Sequence, residues 1–137
     1  MTRCAGRDER GQSVSVFLVV VMAALVLTTG LVVDGGQQVT AGSRADAAAA
    51  GAARAAGNAA ATRALAGSDS AGSALTAARA YLAGESGVTG TASIASGVVT
   101  VTTESSAPTI FLSVIGIGSV TGRGSATASI VATGEAR

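Results

Sequence analysis

The side chains that most often do chemistry are missing from this sequence or stand far apart in it. There is no histidine, which removes the commonest general base and the commonest neutral metal ligand. All nine basic residues are arginine, so no lysine is present for Schiff-base or phosphate chemistry. Cys4 is the one cysteine; it has no neighbouring base and can close no internal disulfide. The carboxylates Asp34, Asp46, Asp69, Glu85, Glu104 and Glu135 are scattered, and no two share a spacing suited to an acid–base dyad or a metal site. Gly116-Ile117-Gly118 with Gly122 falls short of a phosphate-binding loop. Thr121 stands where the third glycine belongs, and no strand-then-helix context surrounds it. The sequence therefore assigns no catalytic, cofactor-binding or metal-ligating residue. An enzyme is not expected, and neither is a cofactor or a small-molecule substrate.

The elements around these residues carry the stronger signal. From Gly11 to Val33 no residue is charged, and Val14 to Leu27 is almost wholly apolar. About twenty helical residues at ~1.5 Å each cover ~30 Å, the thickness of a bilayer's hydrocarbon core. Arg3, Arg7 and Arg10 precede the run, Asp34 closes it, and only Arg44 lies close beyond. The positive-inside rule then places the N-terminus in the cytoplasm and the remainder outside a plasma membrane. A cleaved secretory leader also begins with a basic tail and an apolar middle. Here the apolar character persists through Leu31-Val32-Val33, and the nearest small-residue cut, around Ala41-Gly42-Ser43, lies far downstream. A retained span is the expectation. A secreted binding or adhesion module with a cleaved leader is the alternative.

Composition limits the part of the chain beyond the span. The chain has 137 residues, a formal net charge of +1, and only Phe17, Tyr81 and Phe111 as aromatics. Small side chains bury little area, so an independent core is expected to be weak, and the soluble part to be thin or to lean on partners. No basic cluster or aromatic interleaving supports nucleic-acid binding.

Gln37 to Ala66 is alanine-rich and uninterrupted by proline, which predicts a helix. Gly35-Gly36 is its only weak junction with the span and costs about 2 kcal/mol relative to alanines. The helix is expected to run through; a hinge there is the other option. Thr40, Arg44, Gly51, Arg54, Asn58 and Thr62 share one side, leaving alanine faces that allow close helix approach. Those faces suit a packing rod in a multi-subunit assembly, or else a solvated surface helix. Gly67-Ser68-Asp69-Ser70 reads as a turn, and Ala71 to Leu82 as a second helix with Leu75, Ala78 and Leu82 on one face, ended by Gly84 and Gly87.

After Gly87 the pattern changes to strands. Val88, Ala92 and Ile94 alternate imperfectly, Ser96-Gly97 marks a turn, and Val98 to Thr103 is β-branched throughout. Pro108 punctuates the chain. Ile110 to Ile117 forms an apolar knot, either a short helix or a loop. It is expected to plug the small core, with docking on another subunit or the membrane surface as the alternative. Ala126 to Thr133 reads as a last strand. The class is thus α+β: a cytoplasmic tail over 1–10, a transmembrane helix over 11–34, an alanine-rich helical segment over 35–83, and over 84–137 a small head of about three antiparallel strands packed on the helix.

The order of these features resembles a known family. Arg10-Gly11, Val14-Ser15-Val16-Phe17, Gly30-Leu31-Val32-Val33-Asp34-Gly35-Gly36 and Ala45-Asp46-Ala47-Ala48-Ala49-Ala50-Gly51-Ala52 come one after another. So do the corresponding segments of TadE/TadG-like proteins of tight-adherence (Flp-type) pili. The match covers about residues 10 to 55. The resemblance implies a non-catalytic minor pseudopilin or assembly factor, with the lipid bilayer, other pilus subunits and copies of itself as partners. Gln12-Ser13-Val14-Ser15-Val16 lacks the acid that favours prepilin processing, so cleavage after Gly11 is not expected. Asp34 matches the family's acidic position. It marks the membrane exit or pairs with an arginine of a neighbour. A small accessory subunit of another membrane complex is a further alternative.

Overall fold

The structure is a computed structural model that describes residues 9–130, with side chains from 13 onward. The tail with Cys4, and Val131 to Thr133 of the expected last strand, lie outside the described residues.

One helix, α1, runs from Glu9 to Leu65 without a break. Its 57 residues extend about 85 Å at ~1.5 Å per residue. Gly35-Gly36 does not interrupt it. Two different environments divide it. From Val14 to Val33 its apolar side chains are bare, Leu27 being 73% exposed. From Ala41 to Ala60 one face is sealed: Ala45, Ala49, Ala52 and Ala56 have no accessible surface. Together with Gly30 and Asp34 the covered residues recur every three or four positions, so they form one continuous stripe along the helix.

The alanine faces therefore pack inside this chain rather than awaiting a neighbour. They are covered by α2 (Ser70–Gly84) and by a three-stranded antiparallel sheet of β1 (Val88–Ala95), β2 (Val98–Pro108) and β3 (Ser119–Ser129). α1 ends in a Schellman turn: Ser68 N–H donates to Arg63 O and Gly67 N–H to Ala64 O, with Gly67 at φ +65°. Asp69 then caps α2, accepting from Ala71 and Gly72 N–H at 3.0 and 3.1 Å. Ala74, Ala78 and Leu82 face the core, and Leu75 flanks it half-buried. Gly51, expected on the solvated side, is buried instead because the Tyr81 ring of α2 lies upon it.

β2 is the central strand, as its β-branched run favours. It reaches Pro108, further than the run predicts. Pro108 lacks an N–H, but β1 ends its pairing at Ser105, so no partner is deprived there. β3 starts at Ser119, seven residues before the alternation that marks it. The early part shows no such alternation because its helix-facing residues are glycines.

Register explains those glycines. The helix-facing rows read Val88/Ser105/Gly122, Gly90/Thr103/Gly124, Ala92/Val101/Ala126 and Ile94/Val99/Ala128. A Cβ on Gly122 would collide with the backbone of Ala41 and Gly42, and one on Gly124 with that of Ala45 and Asp46. Strand and helix thus touch main chain to main chain. The Thr103 hydroxyl donates across this contact to the Ala45 carbonyl at 2.7 Å. The opposite face, with Thr91, Thr102, Glu104 and Arg123, is solvated, as in a one-sided antiparallel sheet.

Gly124→Val, although valine is the better strand former, should lower unfolding stability by about 3 kcal/mol, because the helix backbone must retreat. Gly118→Ala, where a Cβ meets open space, should stay within about 0.5 kcal/mol. Urea titration in detergent micelles, monitored by circular dichroism, separates the two.

Candidate functional site

The feature with the most unusual chemistry is Asp34. It is 1% exposed, and it is the one carboxylate among the described residues that is buried. Its partners come from far along the chain. Oδ1 accepts from Ile110 N–H at 2.8 Å, and Oδ2 accepts from Phe111 N–H at 3.1 Å and Leu112 N–H at 2.6 Å. These donors open a short 3-10 helix, η1 (Leu112–Ile115), whose first N–H groups have no partner of their own. A carboxylate suits three converging N–H groups: both oxygens accept, and charge-assisted bonds are stronger than neutral ones. Asp34 therefore serves as a remote cap, clamping the β2–β3 connection to α1.

Elements on both sides fix the geometry. Asp34 lies on the α1 stripe one turn after Gly30, and Phe111 packs over that glycine. A Cβ at Gly30 would stand 2.5 Å from Phe111 Cγ. The ring also borders Met22, Leu25, Val26 and Thr29, around a shallow hollow of about 230 Å³. The connection then closes on itself. Thr109 N–H donates to Gly118 O, the Thr109 hydroxyl to Ile117 O, and Ile117 N–H to Leu112 O at 3.0 Å. Gly116, at φ +91°, makes the return turn and donates to Ser113 O at 3.1 Å.

Two expectations change here. Ile110 to Ile117 does not plug the core: Val114 is 85% and Ile115 71% exposed. The core is already filled by alanines and by Val99 and Val101, so no room remains for this cluster. Asp34 is not free to pair with a neighbour's arginine, because both its oxygens are engaged within the chain. The sequence held one hint of the pairing, a single acid after a long uncharged run. The matching half, three backbone N–H groups near residue 111, leaves no mark in residue types.

Other concavities offer less. One, of about 760 Å³, is an open hollow across all three strands that includes Asp46, Thr102, Glu104 and Arg123. Thr91 and Thr102 hydroxyls bond each other at 2.9 Å. Glu104 accepts from Arg123 Nε at 2.6 Å, and this bond, with its charge, raises the guanidinium pKa. These groups satisfy one another, and no nucleophile faces a base among them. Among the described residues, no three histidine, cysteine, aspartate or glutamate side chains gather as a metal site would require.

The chain matches no family model, no curated protein and no solved structure.

Asp34→Ala should release the connection. Amide exchange at Ile110, Phe111 and Leu112 should quicken by at least about tenfold, while Val99 and Val101 keep their protection. Asp34→Asn should fall between, since one amide oxygen replaces two acceptors and its NH2 confronts a donor. Residue-resolved hydrogen exchange in micelles reads both.

Proposed function

We propose that this chain is a non-catalytic, single-pass membrane protein of the TadE/TadG-like kind, serving as a minor pseudopilin or assembly factor of a Flp-type pilus or related secretion apparatus. The observation that carries the membrane part is the bare half of α1. It is long and apolar enough to cross a membrane, and nearly all of its apolar surface faces outward. Water disfavours such exposure by about 25 cal/mol per Å² of apolar surface. Lipid removes the cost. The polar groups within the run are consistent with this setting: Thr28 and Thr29 hydroxyls donate back to Ala24 and Leu25 carbonyls at 2.8 Å. The proposed orientation follows the arginines, with the tail in the cytoplasm and the head outside.

The pilus part rests on the ordered motifs from Arg10 to Ala52 and on the shape they accompany. A long helix carrying a small α+β head near the membrane suits side-by-side packing with other subunits. The role of the family's acidic position becomes concrete in this reading, since Asp34 clamps the β2–β3 connection to α1. A cleaved leader is less compatible. A cut near Ala41 to Ser43 would sever Asp34 from η1 and open the contact between Ala41 and Gly122.

Tagged protein should remain with membranes after alkaline carbonate extraction, and its mature N-terminus should precede Val14. Recovery in the soluble fraction, or a start beyond Leu31, would refute the anchor. Protease added to spheroplasts should cut the exposed turn at Ala66 to Ser68; cleavage confined to the tail before Gly11 would reverse the orientation. Co-purification of a pilus ATPase or platform protein is expected, and consistent recovery with an unrelated membrane complex instead would assign it there as an accessory subunit.

A further inference from the structure

The connection between β2 and β3 points the same way as the bare helix. From Ser105 to Gly122 no residue is charged; Glu104 and Arg123 stand at its two ends. Ile110, Val114, Ile115 and Ile117 are exposed, at 58, 85, 71 and 46%. Phe111 reaches α1 at Gly30 and borders Leu25. Along the axis those residues lie about 6 and 14 Å before Asp34, at ~1.5 Å per residue, on the side of the uncharged run. The connection therefore overlaps the outer end of the span rather than standing clear of it. If α1 crosses the bilayer with Val33 at its outer boundary, Phe111 lies inside that boundary, and the exposed Val114 and Ile115 follow it by three and four residues.

Backbone accounting supports the same conclusion. Irregular chain is costly in lipid because each unpaired N–H or C=O is penalised. Here the N–H groups of Ile110, Phe111 and Leu112 go to Asp34, and those of Thr109, Val114, Gly116 and Ile117 go to carbonyls of the same connection. The Ser113 hydroxyl is likewise turned inward, to Ile110 O at 2.5 Å. The charge of Asp34 is itself buried beneath the connection.

We infer that the 110–117 connection is a second membrane contact, a wedge that enters the outer leaflet of the bilayer beside the span, held there by Asp34. The occupant of its apolar surface is lipid, at the boundary between headgroups and acyl chains, and the single helix thereby gains a fixed tilt and rotation relative to the membrane plane. The inference rests on the membrane reading above, and the test separates the two.

Single cysteines replace Val114, Ile115, Leu25 and Ala83 in turn, in a Cys4→Ser background. Each is labelled with an environment-sensitive fluorophore, and the full chain is reconstituted in vesicles of phosphatidylcholine and phosphatidylglycerol. Lipids carrying a spin label high on the acyl chain are the quencher. The expected result is a blue-shifted emission at 114 and 115 that loses more than about half its intensity to the labelled lipid, as a group seated ~5–10 Å into the interface would. Ala83, on the distal helix of the head, should show neither effect. Quenching at Leu25 without quenching at 114 and 115 overturns the wedge and leaves the span standing. Blue-shifted emission at 114 and 115 that lipid does not quench also overturns it, and assigns that surface to a protein neighbour. No quenching at any position, Leu25 included, overturns the span and the wedge together.

Discussion

Small side chains along one face of α1 are the constraint on which the fold depends. With few large apolar residues outside the bare half of α1, this chain cannot build a thick core. It substitutes proximity for bulk. Gly122 and Gly124 bring the β3 main chain against that of α1, and alanines line the rest of the seam. Close approach gains dispersion contacts that long side chains would otherwise supply, and it limits the entropy lost in ordering side chains. The same economy operates between helices, where Tyr81 rests directly on Gly51. Val99 and Val101 are the largest apolar residues fully enclosed, at the centre of the sheet. Thr103, one row further, replaces a third valine with a hydroxyl that reaches the Ala45 carbonyl. That bond pins the height of the sheet along the helix as well as its distance.

A stripe of alanine and glycine sets distance but says little about position, since one small residue is much like the next. Asp34 supplies the missing specificity. Its three acceptor contacts bind consecutive backbone groups, so the β2–β3 end of the sheet has one place to sit. Removing a carboxylate from water is expensive unless its lone pairs are filled, and here they are filled by backbone groups that would themselves lack partners. The clamp thus settles two liabilities with one set of bonds. It also explains how a short 3-10 helix without a side-chain cap of its own persists at the edge of the head.

Much of this is legible in residue order. The α+β class, the uninterrupted helix, the break at Gly67 and the β-branched central strand all arise from local propensity and periodicity. They are carried by runs of residues whose types agree with one another. The features that residue order hides are long-range. Asp34 and Ile110 are far apart in the chain, and one partner is a backbone group. The first half of β3 is hidden because glycines on its inner face erase the alternation that signals a strand. The exposure of Ile110 to Ile117 runs against expectation for a simpler reason. In a soluble domain the largest apolar cluster belongs inside, and only the filled alanine core shows that this one is left outside.

The two glycines at 35 and 36 sit between anchored points. Below them the head holds α1 at Gly30 and Asp34; above them it holds Ala41 and Ala45. The sheet is therefore a splint across the weakest joint of the rod. Bending there would require the strands to stretch or let go, so a push or twist applied to the apolar end is carried past that joint toward the far tip near Leu65. A force on the lower shaft would therefore turn the molecule as one lever.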